Sequence, residues 1–171
     1  MKKIVLLMMF IGSMLFANQI MKVTKIVDGD TVHLIDVDGI EHNIRFSYID
    51  TMESVRNNRA KRLAAECKLN IEDIIKVGKE AKYYLSSLIP VGTIVEVNIV
   101  GLDSLGKREM GEIFLNGKSI NEEMVISGHA LPYLHYIKDR EVYTRYGVDY
   151  VNSTSPNDPI LGNECVKNFE K

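Results

Sequence analysis

Two cysteines, no tryptophan and a near-balance of charge set the outer limits of this 171-residue chain. With two cysteines at most one disulfide can form, so the fold must rest on a hydrophobic core rather than on a dense disulfide framework. The four histidines, His33, His42, His129 and His135, stand at no zinc-ligand spacing with one another or with Cys67 and Cys165, and are expected to be surface or packing residues. Lys and Arg total 21 against 23 Asp and Glu, which excludes a strongly basic nucleic-acid binder. No apolar run reaches the roughly 20 residues of a bilayer span. The sequence also carries no internal repeat and no low-complexity tract.

What is present begins with the layout expected of an export signal. Lys2 and Lys3 precede an almost continuous apolar run from Ile4 to Phe16, and Ala17 offers a small residue before Asn18. That layout predicts a signal peptide over residues 1–17 and a single domain over residues 18–171, delivered to the periplasm or the medium. An uncleaved anchor and a buried first strand are the alternatives, and Leu15 is larger than the residue preferred three positions before the cut. Removing Lys2 and Lys3 takes the basic residues from 21 to 19 against 23 acidic, a net charge of −4. Any attraction to a polyanion must then be local. In an exported chain Cys67 and Cys165 are expected to pair, closing a loop of about 100 residues that would stabilise by about 4 kcal/mol on the chain-entropy account. Two buried thiols are the alternative.

From Ile20 to Tyr48 the pattern has period two: Val32 and Leu34 alternate with Thr31 and His33, and Ile44 and Phe46 alternate with Asn43, Arg45 and Ser47. Asp38-Gly39 between the runs signals a hairpin. Arg45 therefore lies on the face opposite Ile44 and Phe46. Residues 55–68 are polar and basic, carrying Arg56, Arg59, Lys61 and Arg62, and read as a mobile loop or frayed helix. A helix is expected from Ile71 to Ile89, where Ile74, Val77, Ala81, Leu85 and Leu88 recur at helical spacing, Asn70 can cap, and Pro90 and Gly92 stop it. Strands follow at Thr93–Val100 and Met110–Leu115, then a tight turn at Asn116-Gly117 and a capping box at Ser119-Ile120-Asn121-Glu122 whose helix ends by Gly128. Beyond Lys138 periodicity fades, and residues 152–159 read as loop. These elements predict an α+β chain: a five-stranded OB-fold β-barrel decorated with two to three α-helices.

Two stretches carry the chemistry: Asp28-Gly29-Asp30-Thr31, and Arg45 followed by Asp50-Thr51-Met52-Glu53. Carboxylates suit a hard divalent cation, and a guanidinium matches the planar oxygens of a phosphodiester. A cation site beside a phosphate clamp points to phosphoryl-transfer chemistry.

In these stretches the chain resembles the staphylococcal (thermonuclease) nuclease family. The likeness rests on Ile26-Val27-Asp28-Gly29-Asp30-Thr31-Val32, Ile44-Arg45-Phe46, Ile49-Asp50-Thr51-Met52-Glu53, Gly78-Lys79-Glu80-Ala81, and Arg108 to Leu115 running into Asn121-Glu122-Glu123-Met124-Val125, all in family order over roughly residues 20–136. It implies a secreted calcium-dependent nuclease acting on DNA and RNA with little sequence preference and leaving 3′-phosphate ends, a monomer with no stable protein partner and no membrane association after signal cleavage. Asp30 and Asp50 would be calcium-binding carboxylates, with the Thr51 carbonyl completing the protein's share of the shell. Glu53 would activate or position the attacking water, Arg45 would clamp the phosphate, and Arg108 would assist the leaving group. The nucleotide-facing tyrosines have counterparts in Tyr133 or Tyr136. Arg56 and Arg59, with Lys61 and Arg62, would either be solvated or form a phosphate track. The alternative is a non-catalytic OB-fold module binding nucleic acid or protein, although such modules typically lose the acidic ligands that this chain keeps.

The departures are local. Met52 replaces a proline, so a less rigid turn is expected before Glu53. The loop Asp103-Ser104-Leu105-Gly106-Lys107-Arg108 is one residue longer than the family's, with Leu105 in place of a stacking tyrosine and the second arginine to be assigned between Lys107 and Arg108, the downstream register favouring Arg108. Residues 55–75 are an expansion, and the family's final helix and tryptophan have no clear counterpart after Lys138.

Overall fold

A computed structural model describes residues 18–104, 106–134 and 137–169. The expected leader, residues 1–17, lies outside these, as do Leu105, His135 and Tyr136. The chain opens with an antiparallel meander of β1 (Gln19–Ile26), β2 (Thr31–Asp36) and β3 (Glu41–Phe46). Its hairpin turn forms at Asp38-Gly39, where Gly39 takes a φ of 82° and Asp36 Oδ1 accepts the amides of Asp38 and Ile40 at 2.9 and 2.8 Å. Strand β5 (Ile94–Leu102) pairs with the free edge of β1, and β6 (Glu109–Leu115) pairs with β5. β6 also runs parallel to β3, matching Ile44 with Glu109 and Arg45 with Met110, and this pairing closes the five strands into the expected barrel.

Alternation along the strands fills the barrel with Met21, Val23, Val32, Leu34, Ile44, Phe46, Val95, Val97 and Ile113, all buried. The short strand β4 (Ile49–Asp50) leaves the barrel and pairs with β8 (Leu131–Pro132), while β7 (Lys118–Ser119) pairs with the end of β6 after the Asn116-Gly117 turn, in which both residues have positive φ.

Five helices surround it among the described residues: α1 (Asn58–Cys67), α2 (Ile71–Leu88), α3 (Ile120–Ile126), α4 (Arg140–Asn152) and α5 (Glu164–Lys167). The caps of α2 and α3 are those expected, with Asn70 accepting from the amide of Glu72 at 2.9 Å and Ser119 from that of Glu122 at 3.3 Å. α2 seals one end of the barrel with Ala81 and Leu85, α3 packs Met124 and Val125 against it, and α4 adds Tyr146. Within α3, Asn121 fastens helix to barrel: it accepts from the Ile113 amide at 3.0 Å and donates to the carbonyls of Ser47 and Gly111 at 3.0 and 3.1 Å.

Two expectations need correction. Residues 58–67, read as a mobile loop or frayed helix, form a regular helix capped at both ends: Asn57 accepts from the Ala60 amide at 2.9 Å, and Lys68 closes it in the left-handed conformation. A helix also stands after Lys138, α4, capped by Asp139, which accepts from the amides of Glu141 and Val142 at 2.9 Å. Both pack against a second cluster apart from the barrel, built of Met52, Leu63, Ile74, Leu131, Ile160, Leu161 and Val166 with Tyr150 at its edge. A disulfide between Cys67 and Cys165 borders this cluster, settling the pairing of the two cysteines.

His42 illustrates the packing role expected of the histidines. Its Nδ1 lies 2.7 Å from Glu109 Oε2 and its Nε2 3.3 Å from Asp36 Oδ2. Burial opposes protonation, but hydrogen bonds and charge from Glu109 and Asp36 outweigh it and raise the His42 pKa. A raised folded-state value stabilises fully below the unfolded value of about 6.5, and that contribution fades as pH rises through the folded value. The unfolding free energy from urea titrations should therefore decline slightly above neutrality, by about 0.5 kcal/mol for a partly exposed ion pair. His42→Asn should flatten that decline, and an unaltered pH profile would refute the assignment.

Candidate active site

The acidic site forms where the turn after β1, the end of β3 and the segment after β4 meet. The turn is closed by the Val27 amide on the Thr31 carbonyl at 2.9 Å, and the Phe46 amide on the Asp30 carbonyl at 2.7 Å ties it to β3. β2–β3 register sets Thr31 opposite Arg45. Asp30 is buried; its Oδ1 accepts the Thr31 hydroxyl at 2.9 Å and its Oδ2 the Thr51 amide at 3.1 Å. The two chemistry-bearing stretches of the sequence are thus joined by a direct hydrogen bond.

Two glycines let α2 press on this assembly. A Cβ on Gly78 would stand 2.3 Å from the Glu53 carbonyl oxygen and 2.5 Å from that of Met52. A Cβ on Gly29 would stand 2.8 Å from Ala81 Cβ and 2.9 Å from Thr51 Oγ1. Gly29, Gly78 and Ala81 are the small residues of two family-like stretches, and their smallness brings the α2 backbone against the Met52–Glu53 turn. Met52 is itself buried in the second cluster, so side-chain packing fixes the turn in place of the proline ring that the family pattern would supply.

Two guanidiniums lace the carboxylates together. Arg45, on the face opposite Ile44 and Phe46 as expected, sets Nη2 2.6 Å from Asp50 Oδ1 and 3.3 Å from Asp30 Oδ2. Arg59, from the first turn of α1, bonds the other oxygen of Asp50 through Nη2; its Nη1 lies 2.9 Å from Glu53 Oε1 and 3.4 Å from the Thr51 carbonyl oxygen. Asn57 donates to Glu53 Oε2. The electrostatics are those of crowded acid. Burial and the neighbouring Asp30 push the Asp28 carboxyl up to about 7. Burial, seconded by Asp30, raises the pKa of Asp50 against the pull of Arg59 and Arg45. For Arg45 burial works against the charge, and the carboxylates of Asp30 and Asp50 more than restore it.

Asp28, Asp30, Asp50 and Glu53 outnumber the two arginines, and the donors are oxygens throughout. That composition fits a hard divalent cation. Asp30, Asp50 and the Thr51 carbonyl are the groups that would hold it. Among the described residues no group of three or more His, Cys, Asp or Glu side chains is arranged to hold a metal ion, so the candidate set is two carboxylates and a carbonyl.

The remaining expected residues lie at the margin or beyond. Arg108, just before β6, does not touch the carboxylate cluster; its Nε bonds Asp103 Oδ2 at 2.9 Å. Asp103 organises that loop by also accepting the Lys107 amide at 2.8 Å, and these two contacts hold its carboxyl down at about 2. Tyr133 follows β8, its amide bonded to the Tyr48 carbonyl at 2.7 Å, one strand away from Asp50. Tyr136 lies outside the described residues. Arg56 pairs with Glu72 on α2, and Arg62 lies 3.9 Å from Glu66 and 4.8 Å above the Phe169 ring. Of these basic residues Arg59 reaches the acidic cluster, while Arg56, ahead of α1, and Arg62, on it, meet other partners. The structure adds Asn57 and Asp103, to which sequence gave no role: one holds Glu53 and the other the loop of Arg108. Asp103 opens the family-like loop and could have been found from that motif, whereas nothing in the local sequence distinguishes Asn57 from an ordinary cap.

A family model described as staphylococcal nuclease homologue matches residues 43–149. That span takes in Arg45, Asp50, Thr51, Glu53, Arg59 and Arg108, and Asp30 joins them from outside it through the Thr51 amide. No curated protein matches the chain.

Proposed function

The chain belongs to the staphylococcal nuclease homologue family, and we propose that it is an exported, calcium-dependent nuclease that hydrolyses DNA and RNA with little sequence preference. The observation that carries this reading is the convergence of Asp30, Asp50, Glu53 and the Thr51 carbonyl around Arg45 and Arg59 in one ion-pair network. Asp30, Asp50 and Thr51 hold the cation, which when bound supplies fixed positive charge to a phosphate oxygen. Arg45, oriented by Asp30 and Asp50, presents a planar pair of donors to the same phosphate. Glu53 takes a proton from a water whose oxygen attacks phosphorus; the bond to the 5′ oxygen breaks and that oxygen takes a proton from solvent, leaving a 3′-phosphate and a 5′-hydroxyl. Arg108 meets the charge that grows on the leaving oxygen, on a loop held in shape by Asp103. Tyr133 contacts the nucleotide from the segment after β8. The disulfide favours an oxidising compartment, in keeping with export through residues 1–17 and action by residues 18–171 as a monomeric single domain.

The test is degradation of single-stranded DNA and of RNA by the purified chain with calcium, with magnesium and with a chelator. Hydrolysis should require calcium, run poorly in magnesium and yield 3′-phosphate ends. Equal degradation in chelator, or none in calcium, would overturn the proposal.

A further inference from the structure

Arg59 is the group this site has beyond what hydrolysis needs. Its guanidinium spans Asp50, Glu53 and the Thr51 carbonyl at once. Two of those three are donors that the proposed function assigns to the cation, and the third is the carboxylate assigned to the water. Arg45 is placed differently, since it engages Asp50 and Asp30 but neither Glu53 nor Thr51. The backbone carrying Arg59 is held at both ends. Asn57 caps α1 while bonding Glu53, and Cys67 at the far end is tied to Cys165. Between them Leu63 is buried in the second cluster. The side chain itself keeps about a fifth of its surface exposed, so it can swing outward on a fixed helix.

We propose that Arg59 is a resident counter-ion of the acidic pocket, one that competes with the divalent cation for Asp50 and the Thr51 carbonyl. The inference rests on the cation site of the proposed function. Before the cation binds, Arg59 offsets the cost of burying Asp50 beside Asp30 and Glu53. On binding, the cation draws on the Thr51 carbonyl and on the Asp50 carboxylate that Arg59 holds, so this guanidinium is loosened from them and part of the binding free energy goes into displacing it, whereas Arg45 stays on the other oxygen of Asp50. The two occupancies are linked equilibria, and removing one must strengthen the other. Calcium affinity is thereby set below what the donors alone would give, and α1 sets it.

The experiment is calorimetric titration of calcium chloride into the full chain, wild type against Arg59→Gln and Arg59→Lys, with melting temperatures measured in chelator and at saturating calcium. Arg59→Gln should bind calcium about tenfold more tightly, within the usual range of coupling between linked sites. It should melt lower than wild type in chelator and gain more from calcium. Arg59→Lys keeps the charge but loses the forked contact, and should bind more tightly than wild type by a smaller factor; it carries the test alone if the glutamine variant does not fold. Calcium binding by wild type that is as tight as, or tighter than, that of the folded variants overturns the counter-ion role and leaves the cation site standing. Absence of calcium binding in wild type and variants alike overturns both.

Discussion

Glu53→Gln should cut the turnover rate about a thousandfold, the scale of a lost general base, while changing calcium affinity only a few-fold. The substitution keeps the shape of a side chain wedged between Arg59 Nη1 at 2.9 Å and Asn57. Its backbone stays pinned where the Glu53 carbonyl meets Gly78. What it removes is the charge that would accept a proton under the proposed function. Asp30→Asn should do the opposite in binding, weakening calcium affinity about tenfold or more because the charge of the ligand set governs affinity for a hard cation. The asparagine keeps one oxygen to accept from either the Thr51 amide or the Thr31 hydroxyl, so the turn survives. Calcium titrations and single-turnover rates on the two variants separate the roles. Loss of calcium binding in Glu53→Gln with retention in Asp30→Asn would invert the assignment.

Much of the barrel and the heart of the site were legible in the sequence, since both depend on local pattern. Period two at Val32, Leu34, Ile44 and Phe46 places Arg45 on the outer face, and the buried state of the first four with the ion pairs of the last follows from that alternation. The closing β3–β6 pairing leaves no such local mark, yet the barrel type implies it. The helices after Glu53 and after Lys138 are harder to read for a shared physical reason. α1 buries only Ala60 and Leu63, and α4 only Tyr146, so neither shows the wide apolar stripe by which an amphipathic helix announces itself. The partners of Leu63, namely Met52, Ile74, Leu131, Ile160, Leu161 and Val166, are scattered over more than a hundred positions, and Tyr146 meets the barrel core far upstream, so both sets come together only in three dimensions. The same distance hides the part played by Arg59. In sequence it is one of four cations in a polar stretch; the phase of α1 singles it out, carrying Arg59 inward to Asp50 while Arg56 meets Glu72 and Arg62 lies over Phe169.

Breaking the disulfide should produce the largest loss of stability available from the cysteines. Cys67 and Cys165 lie 98 positions apart, and a loop of that length restrains the unfolded chain by about 4 to 5 kcal/mol on the entropic account. That is a large part of the 5–15 kcal/mol typical of a domain. The effect should also be uneven. The barrel core is continuous without the disulfide, whereas the second cluster draws Leu63 from α1 and Ile160, Leu161 and Val166 from the C-terminal segment. α5 is one turn long and cannot persist unpacked. Reduction, or the double variant Cys67→Ala with Cys165→Ala, should therefore free the segment after Asn152 first, opening residues 153–169 to protease while the barrel remains protected. α1, with its far end untied, should hold Arg59 less firmly over Asp50 and Glu53. Urea unfolding with and without reductant gives the magnitude, and mass spectrometry of limited digests gives the place. An unchanged urea midpoint on reduction, or first cuts within the barrel strands, would refute this account of how the C-terminal segment secures the helix beside the site.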